Sequence, residues 1–276
     1  MFGAIIGDII GSRWEFKRIK TKEFPLFSNF NQITDDSILT VAVADALLHD
    51  RDPAEALRDW ARRVATGRHV GGFGGRFMRW VANPELQPPY NSYGNGAAMR
   101  VSPVALLAVS LDEALALSDR VTAVTHNHPE GMKGARATVH AIWLARQGQD
   151  QDAIRSTIAT TYGYDMSPSV DAIRTNYRFN ETCQGSVPQA LICALEATDF
   201  EDAIRNAVSL GGDADTQAAI AGPVAEALFG IPEDIGGQAW AKVPDEMRQV
   251  VEKLYARSAG PGGDQVNCGV NDAGNR

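Results

Sequence analysis

The chain has 276 residues, a formal net charge of -8 and 44% hydrophobic residues, so it can bury a sizeable core in one large domain or two small ones. The negative charge disfavours a general nucleic-acid binder, which usually presents a basic face. Its three cysteines, Cys183, Cys193 and Cys268, lack metal-like spacing. This pattern disfavours a zinc site or a disulfide scaffold and favours a reducing, cytoplasmic location.

The first helical segment carries a glycine at every fourth position, at Gly3, Gly7 and Gly11. All three lie on one side of a helix, where they admit a close neighbour, so we expect this helix at the centre of the fold. Asp8 would be buried there, and we interpret it as a structural hydrogen-bonding group rather than a ligand. The segment has no basic start and Asp8 interrupts it, so it is not a signal peptide. No stretch of the chain is predicted to span a membrane.

Two acidic clusters, each with a threonine, stand at the starts of helical patterns. Residues 34–36 read Thr-Asp-Asp and precede apolar residues at helical spacing, while residues 211–216 read Gly-Gly-Asp-Ala-Asp-Thr and precede a long Ala-rich helix. Asp and Thr are ordinary helix caps, so capping alone can explain either cluster. If the clusters meet, four carboxylates and two hydroxyls share one pocket, which is an environment for Mg, Mn or Ca.

Three further features lie in predicted loops or turns. The run at 70–76, Val-Gly-Gly-Phe-Gly-Gly-Arg, is either a nest of N–H groups for phosphate or a plain loop, and it matches no nucleotide fingerprint. Residues 93–100 predict a tight turn into a helix. His126 lies in a connection, where it either contacts a ligand or makes a loop hydrogen bond. Glu15 follows the first segment and by itself would be interpreted as a surface residue.

Helical spacing of apolar residues recurs at 112–124, 133–147, 150–162, 187–198, 200–209 and 244–257. The segment 163–187 is interpreted as irregular. No stretch shows the alternation typical of strands, so the predicted fold is all-α, a compact single domain of many helices over residues 1–258. The Gly, Pro, Asn and Asp content of residues 259–276 predicts a disordered tail.

These features, in this order along the chain, resemble those of the ADP-ribosylglycohydrolase family. The resemblance runs from about Phe2 to Gly230 and rests on the 7–15 segment, both acidic clusters, the 94–100 turn and the Thr-His pair at 125–126. The family implies a compact all-α domain that holds two Mg or Mn ions. The residues here that match its metal ligands are Thr34, Asp35, Asp36, Asp213, Asp215 and Thr216.

The resemblance also implies roles for residues outside the metal clusters. Glu15 matches a family glutamate on a loop that can move over the metals, and with Asp36 and Asp213 it forms the predicted catalytic set. The residues that match positions holding the diphosphate and ribose are Gly71, Gly72, Gly74, Gly75, Asn95, Gly96, Met99 and His126. His128 and Pro129 are not general to the family, so no role is carried over to them.

The implied activity is hydrolysis of an ADP-ribose linkage, with the N-glycosidic bond to arginine on a modified protein favoured. The implied partners are that ADP-ribosylated protein and ADP-ribose, whereas membrane and nucleic acid are not expected. Two alternatives remain open. One is a hydrolase of serine-, nucleic-acid- or small-molecule-linked ADP-ribose, and the other is a non-catalytic metal or ADP-ribose binder, as in crystallin relatives. The choice of acceptor is assigned to rim loops at Lys17 to Ile33 and Gly163 to Ser186.

Overall fold

The computed structural model describes residues 1–65, 72–83 and 88–259. Their regular structure consists of α-helices and one short 3₁₀ turn at Asn95–Ala97, with a single isolated β-bridge between Gly94 and Thr182. The all-α prediction is therefore confirmed. The helices are α1 Phe2–Gly11, α2 Asp35–Leu48, α3 Pro53–Ala65, α4 Gly75–Ala82, α5 Ser102–Leu107, α6 Leu111–Thr122, α7 Pro129–Arg146, α8 Gln151–Tyr162, α9 Val170–Asn176, α10 Cys183–Leu195, α11 Phe200–Ser209, α12 Ala214–Phe229, α13 Glu233–Trp240 and α14 Asp245–Ser258.

Helix α1 lies at the centre of the fold, as its glycines predict. All ten of its residues are buried, and its backbone is in contact with that of α12. A Cβ added at Gly7 would lie 2.1 Å from the carbonyl oxygen of Ala218, and one added at Gly3 would lie 2.4 Å from that of Gly222. No side chain fits between the two helices at these points, so glycine is required for the approach.

The packing of α1 against α12 and α2 brings three helix ends together. A Cβ at Gly11, the last residue of α1, would lie 2.5 Å from the carbonyl oxygen of Ala214, the first residue of α12. Asp8 on α1 accepts hydrogen bonds from Thr34 and Ser37 at the start of α2. Helices α10 and α11 pack on α12 from other sides. The two acidic clusters therefore lie beside each other at the C-terminal end of α1.

Two sequence predictions are wrong in detail. The segment 163–187 is not wholly irregular, because it contains α9 and the first residues of α10. Ser169 Oγ accepts from Ala172 N–H at 3.2 Å and Thr182 Oγ1 from Gly185 N–H at 3.2 Å, so side-chain caps start both helices. The periodic pattern that predicted α7 also missed its start: it begins at Pro129, with His128 as its N-cap.

Helix α13 was not predicted at all, because its eight residues include two glycines, which weaken a helical pattern. Within the described residues, no helix is both long and apolar enough to cross a membrane. From residue 260 onward, the tail that was predicted to be disordered lies outside the described residues, and so does Cys268. Its disorder, and the domain boundary at 258, remain predictions.

Candidate active site

A cleft of about 300 Å³ opens over the point where α1, α2 and α12 meet. Asp36 from the first cluster and Thr216 from the second are 180 positions apart in the chain, yet the Thr216 hydroxyl lies 3.3 Å from Asp36 Oδ2. The two clusters thus meet in one cleft, as the sequence predicts. The predicted catalytic and metal residues in the cleft wall are Glu15, Asp35, Asp36, Asp213, Asp215 and Thr216.

Helix capping explains only part of this arrangement. Thr34 is the N-cap of α2, and its Oγ1 accepts from Asp36 N–H at 3.3 Å. The same hydroxyl lies 2.8 Å from Asp8 Oδ1, and Thr34 is not in the cleft wall. Asp213 holds the N-cap position of α12 but makes no side-chain cap bond, and its Oδ2 accepts instead from Asn95 Nδ2 at 2.7 Å. The carboxylate of Asp213 is therefore part of the cleft wall and does not cap the helix.

Asp8 makes the buried hydrogen bonds predicted for it. Its carboxylate accepts from the N–H groups of Thr34 and Ser37, at 2.9 and 3.1 Å, and from the hydroxyls of both residues. One of its oxygens also lies within 4.8 Å of oxygens from Asp36 and Asp215. Asp8 therefore fixes the start of α2 and adds a negative charge to the floor of the site.

The carboxylates at this end of the cleft repel one another. Burial, followed by the charges of Asp8 and Asp213, raises the pKa of Asp35 to about 8. Burial and the neighbouring acids also raise the pKa values of Asp36 and Asp215 well above their usual range. Burial and then the charge of Asp213 raise the pKa of Glu15 to about 7. So much buried negative charge calls for a compensating cation.

The donor set fits a hard divalent cation. Oxygens of Asp8, Asp36 and Asp215 lie within 4.8 Å of one another, and so do those of Glu15, Asp213 and Asp215. The Oδ1 atom of Asp36 is buried and has no hydrogen-bond partner among the described residues. Asp215 belongs to both groups, so two cations could share it. All these ligands are oxygens, which Mg and Mn prefer over the softer donors that select zinc or copper.

Glycines also line the cleft. Gly72 has a φ of +113°, which favours glycine, and its added Cβ would lie 2.1 Å from Asp35 Oδ1, so Gly72 borders the acids. Gly74 and Gly75, at the start of α4, have open space where a side chain would be. Gly71 lies outside the described residues. The predicted substrate-binding residues that line the cleft are Gly72, Gly74, Gly75, Asn95, Gly96, Met99 and His126.

His126 is neutral and presents a hydrogen-bond donor beside the glycines. Burial, then the charges of Arg100 and Arg76, lowers its pKa well below the usual range. The Thr125 hydroxyl accepts from Arg100 at 2.6 Å and lies 2.8 Å from His126 Nδ1, so its own proton is available to Nδ1. Nδ1 is then an acceptor and Nε2 carries the proton. A Cβ on Gly96 would lie only 3.3 Å from Nε2, which places this donor at the cleft wall.

Several residues of the cleft wall, among them Arg76, Tyr90, Arg100 and Glu181, were assigned no role from the sequence. Arg100 is fully buried beside Thr125, and Arg76 is exposed over the ring of Tyr90, at 5.2 Å. Glu181 joins the cleft wall from the segment before α10. The Gly-rich run ends on Arg76 and the 93–100 turn ends on Arg100, so adjacency to each motif was the available signal. For Tyr90 and Glu181 the sequence offered none.

The comparisons with known proteins point to one family. The family model for ADP-ribosylglycohydrolase matches residues 1–264. The ADP-ribosylarginine hydrolase Tri1 of Pseudomonas putida is 26% identical, with 94% of this chain and 77% of that protein covered. The ADP-ribosyl-[dinitrogen reductase] glycohydrolase of Rhodospirillum rubrum is 27% identical, with 92% and 93% covered.

More distant similarity extends to an animal protein and to a solved structure. The ADP-ribosylhydrolase ARH3 of Danio rerio is 25% identical, with 92% of this chain and 88% of that protein covered. A solved structure titled "ADP-ribosylglycohydrolase-related protein complex" shares the fold with a TM-score of 0.69, at 23% identity over 93% of this chain and 95% of that one. With the family model matched over nearly its whole length, the chain belongs to the ADP-ribosylglycohydrolase family of enzymes, which hydrolyse ADP-ribose linkages.

Proposed function

We propose that the protein is a metal-dependent hydrolase that removes ADP-ribose from arginine side chains of modified proteins, with two Mg or Mn ions as cofactors. The observation that carries the proposal is the polarity of the cleft. The acids of both clusters gather on one part of the wall, and Arg76 and Arg100, whose charges both act on His126, lie on another. A relative named for ADP-ribosylarginine supports the arginine linkage, and one named for ADP-ribosyl-[dinitrogen reductase] supports a modified protein as the substrate.

The basic end suits the diphosphate of ADP-ribose. Arg76 can reach phosphate oxygens from its exposed position. Arg100 is buried, and its fixed positive charge makes the wall electropositive. The Nε2–H of neutral His126 is a further donor to an anionic oxygen. Gly74 and Gly75 leave open space in which the diphosphate can approach the backbone N–H groups at the start of α4. The volume of about 300 Å³ is that of a small-molecule site.

The acidic end suits the ribose next to the linkage. The side chains that would hold two divalent ions are Asp35, Asp36, Asp213, Asp215, Thr216 and, from behind the cleft wall, Thr34. Bound there, such ions would supply ligand positions for ribose hydroxyls and a more acidic water. The carboxylates themselves favour the positive charge that develops at C1 as the glycosidic bond breaks.

Glu15 is the acid placed to move a proton. It follows α1 on a loop, is half-buried in the cleft wall, and belongs to neither acidic helix start. Its carboxyl oxygen can accept a proton from the attacking water or return one to the leaving arginine nitrogen. Asp36 and Asp213, the other predicted catalytic residues, hold the geometry of the acidic end around it.

The linkage is tested by incubating the protein with arginine-, serine- and nucleic-acid-linked ADP-ribose, in Mg and then in chelator. We expect Mg-dependent release of ADP-ribose from the arginine linkage above the other two. Preferential release from serine or nucleic acid would replace the arginine assignment. Release from none of them, with ADP-ribose still bound, would instead indicate a non-catalytic binder.

Glu15→Gln should lower turnover by about 10² to 10⁴-fold, the usual worth of general acid or base assistance. The change is nearly isosteric, and a group that acts only as the reaction proceeds contributes little to ground-state affinity. Single-turnover assays beside calorimetry with ADP-ribose would measure both quantities. The matched control is Glu252→Gln, an exposed carboxyl on α14 outside the cleft wall, which should keep the full rate. Loss of bound metal in Glu15→Gln would make Glu15 a ligand instead of a proton-transfer group.

Metal should stabilise the fold, because the cations relieve repulsion that exists only when the clusters are assembled. With free Mg or Mn a hundredfold above its dissociation constant, linkage predicts about 2.7 kcal/mol of added stability. Thermal unfolding over a series of metal concentrations would show the melting temperature rising with the logarithm of free metal. An unchanged melting temperature in Mg, Mn and chelator would contradict a tight site.

A further inference from the structure

Two rim loops of the cleft are tied together on the side of Glu15. The Lys20 ammonium donates to the carbonyl oxygens of Arg174 and Tyr177 at 2.8 and 2.7 Å, and to that of Leu210 at 2.5 Å. The Arg18 guanidinium lies over the ring of Phe179, 4.7 Å from its centroid. The loop after α1 and the loop after α9 therefore form one continuous edge.

This edge reaches the cleft through two glutamates. Glu15, two positions before Lys17, and Glu181, two positions after Phe179, both line the cleft. Glu15 and Glu181 are close enough for the charge of Glu181 to raise the pKa of Glu15. A protein attached to the ribose at the acidic end would leave the cleft across the edge formed by the two loops.

The edge carries unpaired positive charge, and we name its three cations, Lys17, Arg18 and Arg178, the basic rim. All three are exposed, and none has a carboxylate within ion-pair distance in the part of the chain that the structure describes. Neighbouring cations are engaged elsewhere: Lys22 pairs with Asp202, and Lys20 is bound to carbonyl oxygens. The basic rim therefore presents net positive charge to solvent.

This local charge is opposite in sign to that of the whole chain, whose net charge is -8. At physiological ionic strength the screening length is about 8 Å, so a partner at the cleft mouth responds to the basic rim more than to distant acids. Phe16, 80% exposed beside Lys17, adds apolar surface that a bound polypeptide could cover. Charge and apolar area together describe a surface for a protein segment.

We propose that the basic rim binds acidic residues that flank the modified arginine on the protein substrate. The inference rests on the proposed function and specifies its substrate class: ADP-ribosylarginine in an Asp- and Glu-rich surface. The arrangement separates two tasks. Glu15 and Glu181 are complementary to the guanidinium of the leaving arginine, whereas Lys17, Arg18 and Arg178 are complementary to carboxylates on either side of it.

A protein segment is favoured over a nucleic acid as the occupant. Nucleic-acid binding depends on a long basic track that neutralises many phosphates. The basic rim has only three cations and is flanked in sequence by Glu15 and Glu181. Flanking carboxylates on a peptide can be spaced to avoid Glu15 and Glu181, while the phosphates of a nucleic-acid strand are continuous.

The test compares kcat/KM for three arginine-linked substrates, namely free ADP-ribosylarginine, a peptide with acidic flanks and the same peptide with serine flanks, and for an ADP-ribosylated oligonucleotide. Lys17→Glu/Arg178→Glu reverses two charges of the basic rim and leaves Arg18 on Phe179 in place. The control variant is Lys253→Glu, an exposed lysine on α14 outside the cleft wall. Two exposed charge contacts are together worth about tenfold, so we expect the double variant to lose about tenfold on the acidic peptide alone.

The outcomes separate the two proposals. One outcome is that the parent protein releases ADP-ribose from free ADP-ribosylarginine but has the same kcat/KM on both peptides, and that the double variant keeps this value. That outcome would overturn the proposed role of the basic rim and leave the proposed function intact. No release from any arginine-linked substrate would overturn the proposed function and the inference built on it. If the double variant loses more kcat/KM on an ADP-ribosylated oligonucleotide than on the acidic peptide, the choice of a protein partner would be overturned.

Discussion

Asp213→Asn is expected to abolish metal-dependent stabilisation and to lower turnover by more than about 100-fold, because even partners that only support ligands cost 10 to 100-fold when removed. Asp213 contributes oxygens next to those of Glu15 and Asp215 and holds no cap bond that the substitution would break. Asp35→Asn, on the other cluster, should have the same effect if the two clusters form one site. Assays of turnover and of melting temperature, each over a metal series, would measure these losses.

The metal-free form supplies the contrast that identifies the cause. Burial raises the pKa of Asp213, and its charge in turn raises the pKa of Glu15, so removing that charge should leave the metal-free melting temperature unchanged or higher. Asn95 can still donate to the amide oxygen. The matched control is Asp112→Asn, an exposed acid outside the cleft wall. Full metal affinity and rate in either Asp35→Asn or Asp213→Asn would disprove the shared site.

Gly7→Ala should be strongly destabilising, although alanine is the better helix former. The new methyl would lie 2.1 Å from the Ala218 carbonyl oxygen, which belongs to a backbone and cannot rotate away. Overpacking by one methyl typically costs about 1 to 3 kcal/mol, and here two central helices must separate, so we expect about 3 kcal/mol or more. Chemical denaturation of the metal-free protein would measure the loss of unfolding free energy without the site contributing.

Gly237→Ala is the matched control, on the exposed side of α13. Nothing lies within 4 Å of its added Cβ, and its φ is in the ordinary range. We expect this substitution to raise the unfolding free energy by about 0.5 to 1 kcal/mol, the usual gain in a helix interior. Equal effects of the two substitutions would mean that α1 and α12 are not held in backbone contact.

Several features of the site could be predicted because they are encoded locally. The two acidic clusters stand at helix starts that 3.6-residue periodicity identifies, and the glycines of α1 recur at a helical period. That both clusters meet was inferred from their shared composition, and the contact of Thr216 with Asp36 confirms it. The all-α class followed from the same periodicity.

Other features depend on contacts distant in sequence, and the sequence carried no local sign of them. Glu181 lies in a segment interpreted as irregular, and only the tertiary fold brings it into the same cleft as Glu15. The sequence does not distinguish an exposed arginine from a buried one, and Arg100 is fully buried. The basic rim requires the loops after α1 and α9 to be joined through Lys20, more than 150 residues from its acceptors. Composition alone showed only an acidic chain.

The number of Mn ions bound per chain, measured by equilibrium dialysis of the intact protein, tests whether both acidic clusters build one binuclear site. We expect two ions per chain in the parent, with a loss of binding in both Asp35→Asn and Asp213→Asn. Two ions that survive either substitution, or a parent that binds none, would contradict this expectation.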